Sequence, residues 1–232
     1  RNNPIGKESV YKQFTYARNV IQWHLNLFMN DDKDDAEWKN RLPELRDNVT
    51  EGYNVIPNFF ISAKLNEELS YKEEIERTDR RLTHFDNKHF KNRLFDRDTL
   101  LVCHYDVNFL FVVSLYALNN RSKKDAWKKK VREIFRKQVQ ETLRNNYQFY
   151  AMTALPGEDG KRYIKTHFQD VLGKIYSPYE NTDYYSLALE HEDAANNEKL
   201  LEELRKHFYV VECGLGKNPQ EAIAKAITET PA

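Results

Sequence analysis

Residues 99–118, TLLVCHYDVNFLFVVSLYAL, form the longest apolar stretch of the chain, and His104, Asp106 and Asn108 interrupt it at alternate positions. On a strand those three side chains share one face while Cys103 and Tyr105 take the other, because side chains alternate along extended backbone. TLLVCHY therefore reads as a strand, and VNFLFVVSLYAL as a buried helix or a second buried strand. The apolar part, Val107 to Leu118, is about a dozen residues and falls short of the ~20 needed to cross a bilayer. A soluble protein with no membrane partner is expected.

The segments on either side set the fold class. ESVYKQFTYARNVIQWHLNLFM, residues 8–29, spaces Val10, Phe14, Ala17, Ile21, Leu25 and Phe28 as the apolar stripe of an amphipathic helix. A second helix is expected from about Ala36, with Trp38, Leu42, Leu45 and Val49 inward and Pro43 confining its first part to a short turn. Residues 59–82 predict a third, with Glu73, Glu74 and Glu76 preceding Arg77, Arg80 and Arg81 at ion-pair spacing. HFDNKHFKNRLFDRD then reads as a polar loop.

Beyond the central run, SKKDAWKKKVREIFRKQVQETLRNN is a long helix with Ser122 as its cap and Asp125 in its first turn. YQFYAMTAL, YYSLALE and YVVECGL are strands separated by the helical segments GKRYIKTHFQDVLGKIY and NEKLLEELRKHF. That alternation predicts an α+β protein: an N-terminal helical subdomain, residues 1–97, followed by a small sheet with β-α crossovers, residues 98–232. No Gly/Ser- or Pro-rich linker separates the two, so the boundary is soft and they can share a core.

Composition narrows function mainly by exclusion. The chain has 232 residues and 36 basic against 36 acidic side chains, so any electrostatic partner must be recognised by local charge segregation. Its two cysteines, Cys103 and Cys213, form neither a Cys-x-x-Cys pair nor a disulfide framework, which points to a reduced, cytoplasmic compartment. The chain opens on Arg1 with methionines only at 29 and 152, as a domain cut from a longer polypeptide would. No glycine arrangement matches a phosphate-binding loop, and the spacing of His84 and His89 suits neither a helical ligand pair nor a zinc finger.

Three features carry candidate chemistry. The first is the basic helix. Residues 121–145 hold ten cations against three acids, a balance of +7, and Trp127, Val131, Ile134, Phe135, Val139 and Leu143 form its inward stripe. Lys123, Lys124, Lys128, Lys129, Lys130, Arg132, Arg136 and Lys137 are then available to contact a nucleic-acid backbone. The competing account neutralises them with the acidic segment 180–206, eight acids against three bases, or −5.

The second feature is the central strand, where His104 and Asp106 can reach one metal ion or one water. With Glu212 of YVVECGL as a second carboxylate in an apolar strand and Lys217 nearby, they make a candidate catalytic set. In it Asp106 and Glu212 would hold a divalent metal for phosphodiester cleavage. Restriction-endonuclease-like nucleases carry Glu-x-Lys on such a strand, but Gly214 stands here at the lysine's place. The competing account is a junction, in which Asp106 or Asn108 caps a helix starting near Val107.

The third is the aromatic load, 14 Tyr and 13 Phe, concentrated in YQFYAM and YSPYENTDYYS. Such rings either stack on nucleobases or pack strands. The expectations are thus a nucleic-acid-binding accessory module of a larger intracellular, nucleic-acid-processing or defence-type protein, a metal-dependent nuclease, or a protein-interaction domain.

Overall fold

The computed structural model describes residues 6–29, 58–77, 84–86, 100–176 and 183–229. These divide into two compact units, one holding residues 6–29, 58–77, 84–86 and 100–139, the other 140–176 and 183–229. The helix expected from Ala36 lies outside the described residues, as does most of the polar stretch after position 82.

The first unit is built around the central apolar run. Strand β4, Leu100–Asn108, has almost every side chain buried. Its neighbour β1, Phe59–Lys64, runs parallel to it, placing Phe60 beside His104 and Ser62 beside Asp106. Two short antiparallel partners, β2 (Ile75–Arg77) and β3 (His84–Asp86), set Glu76 against Asp106 and His84 against Val102. Residues from both sides of position 97 thus share one sheet. Helix α1, Lys7–Met29, forms where the apolar spacing predicts it and buries Val10, Phe14 and Ala17.

Over the described part of the helix expected at residues 59–82, residues 59–77, no helix is formed. Its apolar members Ile61, Leu65 and Leu69 are exposed in this conformation. Pairing with β4 instead gives the aromatic and β-branched start, FFIS, a place in a sheet. Asn66 then organises the return: its amide donates to Ser70 Oγ (2.8 Å) and Glu74 Oε2 (3.1 Å), and its carbonyl accepts from Ser70 N (3.1 Å). Within the stretch expected to be a loop, residues 84–86 are the strand β3.

The run after β4 is a helix, α2 (Phe109–Ala117), followed by α3 (Arg121–Asn146). Asn120 caps α3, accepting from Lys123 N at 3.1 Å, two positions before the Ser122 that the sequence suggests. In the first unit α3 packs on the face of the sheet opposite His104. Phe135 lies 6.0 Å from the Phe59 ring, and buried Gln138 meets the Tyr105 hydroxyl at 3.0 Å. With its carbonyl turned to Arg77, Gln138 also accepts from that guanidinium at 2.7 Å.

The second unit contains a separate antiparallel sheet, β6-β7-β5-β8, formed by β5 (Tyr147–Ala154), β6 (Ile175–Tyr176), β7 (Tyr184–Glu190) and β8 (Phe208–Cys213). The α+β class holds, with two small sheets. Met152, Leu187, Leu189 and Phe208 from the strands pack with Val171, Leu201 and Leu204 from helices. The segment expected as one helix, residues 160–176, is α4 (Gly160–Thr166), a single turn α5 (Phe168–Val171) and β6. Gly160 opens α4 where a Cβ would stand 2.9 Å from Phe208 Cε1, closer than packed atoms tolerate. Helices α6 (Ala194–Arg205) and α7 (Pro219–Glu229) complete the unit.

Candidate nucleic-acid interface

The basic helix owes its orientation to its apolar residues. Val131, Phe135 and Val139 are buried, as the inward stripe requires, and the lysines and arginines are left to the remaining surface. Several of those cations have partners. Asp125 pairs with Lys128 at 3.4 Å and with Arg121 at 3.8 Å, and Glu73 pairs with Lys130 at 2.9 Å. Lys124 Nζ donates to Asn119 Oδ1 at 2.9 Å and lies 5.6 Å from the centre of the Tyr116 ring. Arg136 is also engaged.

Lys123, Lys129, Arg132 and Lys137 are exposed, and among the described residues none has an acidic partner. At 3.6 residues per turn Lys129, Arg132 and Lys137 project from the half of the helix opposite Trp127, Val131, Phe135 and Gln138, and Lys123 from its flank. At 1.5 Å per residue they extend over roughly 21 Å. Two exposed acids, Asp125 and Glu133, share that half. Two acids of segment 183–206 pair with other cations, Asp183 with Lys161 (3.5 Å) and Glu203 with Lys206 (2.5 Å). The Lys206 ammonium accordingly lowers the pKa of the Glu203 carboxyl.

On β4, His104 and Asp106 do share a face. The His104 ring is only 4% exposed, lies 5.0 Å from Phe60 and 6.0 Å from His84, and leaves Nε2 without a hydrogen bond. Burial, with a smaller contribution from His84, lowers its pKa from 6.5, so the ring is neutral near pH 7. One Asp106 oxygen is bonded to the Lys64 ammonium and the other is buried without a partner among the described residues. The lysine occupies the position from which a cation would neutralise this carboxylate. Its presence was not visible in the sequence because it comes from a segment that reads as helix.

Asn108 is the junction residue. Its Oδ1 accepts from Leu110 N at 3.1 Å, capping α2, while Nδ2 donates to Ser70 O and Lys72 O at 2.9 Å each. Asp106 has no part in that cap. On the opposite face Cys103 is fully buried, and burial pushes its thiol up to about 12, so it is no nucleophile at neutral pH.

Glu212 differs from expectation. It is exposed on β8, so it bears no desolvation cost that a metal would have to relieve. Asp106 and Glu212 belong to different compact units, and Lys217 is exposed beyond β8. Among the described residues no group of three or more His, Cys, Asp or Glu side chains is placed to hold a metal ion. The tyrosines Tyr147 and Tyr185 are buried in their sheet, in keeping with a packing role.

The aromatic residue that the sequence did not single out is Tyr116, 82% exposed at the end of α2. The signal was present in the spacing. Phe109, Val113 and Tyr116 follow each other by four and three positions, and all three face solvent. No protein-family model, curated protein or solved structure matches the chain.

Proposed function

We propose that the chain binds the phosphate backbone of nucleic acid through the outward half of α3, as an accessory module of a larger intracellular nucleic-acid-processing or defence-type protein. The observation that carries this reading is the row Lys123, Lys129, Arg132 and Lys137, exposed and without acidic partners among the described residues. The paired cations Arg121 and Lys128 add to it, because an exposed ion pair is worth only about 0–1 kcal/mol and a phosphate can displace it. A lysine row reads no bases, so binding is expected to be independent of sequence and weakened by salt.

The test is fluorescence anisotropy of the protein with a labelled oligonucleotide over a range of salt concentrations. Four phosphate contacts predict a slope of log K against log salt of about −3.6 for a duplex and about −2.8 for a single strand. Replacing Lys123, Lys129, Arg132 and Lys137 together by Glu should abolish binding. Unchanged affinity in that variant overturns the proposal.

A further inference from the structure

Helix α2 ends in a turn that fixes one aromatic ring at the start of the basic helix. Asn119 adopts a left-handed backbone, φ 43°, which asparagine tolerates better than most residues, and its N–H closes the turn onto Tyr116 O at 3.2 Å. The Asn119 side chain holds the Lys124 ammonium, which lies 5.6 Å from the centre of the Tyr116 ring. The ring is thereby held beside a cation, yet it is 82% exposed. Beyond it come Arg121 and Lys123, which has no acidic partner among the described residues, at the N-terminal end of α3.

A single exposed tyrosine is unremarkable by itself. An exposed aromatic plane beside an ammonium group, at the start of a helix rich in cations, has the elements of a site for single-stranded nucleic acid: a groove-independent backbone attraction plus a surface on which an unpaired base stacks. In a duplex the bases already stack on one another and present no free face to such a ring. We infer that Tyr116 is a base-stacking platform and that it makes the α3 surface prefer single strands over duplexes. The inference rests on the function proposed above and adds the class of partner.

Anisotropy with a labelled oligothymidylate of about 12 nucleotides, the matching oligouridylate and a duplex of equal length tests it. Losing one base–aromatic stack should weaken single-strand binding by Tyr116→Ala about 5- to 140-fold and leave duplex binding unchanged. Tyr116→Phe, which keeps the ring, should bind like the wild type. A 2-aminopurine placed in the strand should lose fluorescence on binding the wild type and not on binding Tyr116→Ala. Equal single-strand affinity of wild type and Tyr116→Ala overturns the stacking role, as does an equal loss on strand and duplex. If in either case the four-residue reversal still abolishes binding, the phosphate-binding function stands without it. A reversal without effect overturns both.

Discussion

A buried imidazole with one nitrogen unpaired, as in His104, costs little while it stays neutral and much when it must take a proton. Its pKa is lowered from 6.5 by burial first and by His84 second. A depressed folded-state value means that the unfolded chain binds the proton more readily. The stability His104 contributes is therefore complete above about pH 6.5 and is lost as the pH falls through the lower folded value. The urea midpoint of the wild type should drop between about pH 7.5 and about pH 5, and that of His104→Phe should drop less. Phenylalanine keeps a ring against Phe60 and removes only a nitrogen without a partner, so the variant should remain folded at the higher pH. Equal pH slopes for the two proteins would show that this imidazole stays uncharged or is charged in both states alike. The Lys64 contact beside it explains how Asp106 is carried on a buried face with a counter-charge from the next strand.

At the scale of elements, the join between β4 and α2 depends on Asn108, which caps the helix and ties two carbonyls of the β1–β2 connection. Asn108→Ala loses the cap, worth about 1 kcal/mol, and two hydrogen bonds of about 1 kcal/mol each. A loss of roughly 2–3 kcal/mol in chemical denaturation is expected. Asn108→Asp retains the cap acceptor but turns a carboxylate oxygen toward Ser70 O and Lys72 O, so it should be no more stable than the alanine variant. Recovery of wild-type stability by the aspartate would mean that the cap alone matters. This junction was legible from the alternation of His104, Asp106 and Asn108 followed by an apolar run, as were α1, α3, β5, β7 and β8 from their own periods. Residues 59–82 were not, because their strand character is supplied by β4 some forty positions away. Two of the residues that suggested helical ion pairs serve elsewhere: Glu73 holds Lys130 of α3, and Arg77 reaches Gln138. The phosphate-binding candidates were visible as composition, but which of them are unpaired follows from Asp125 and Glu73 and no sequence pattern states it.

For the molecule as a whole, 36 basic and 36 acidic side chains leave no net charge to attract a polyanion from a distance. Screening shortens the reach of exposed charges to about 8 Å at physiological ionic strength, so an effect on binding should depend on where charge sits and little on its total. Reversing the four cations of α3 moves the net charge by −8, two units at each of four positions, and the loss it causes has to be separated from general repulsion. Reversing Arg162, Lys165, Lys199 and Lys217, all exposed in the second unit, changes the net charge by the same amount. This second variant should bind oligonucleotide within about threefold of the wild type at about 0.15 M salt, whereas the first should not bind measurably. Similar losses in both would assign the attraction to total charge and remove the outward half of α3 as a distinct surface. Retention of binding by the second variant with its salt slope intact would locate the phosphate contacts on α3, where Lys123, Lys129, Arg132 and Lys137 are exposed without acidic partners among the described residues.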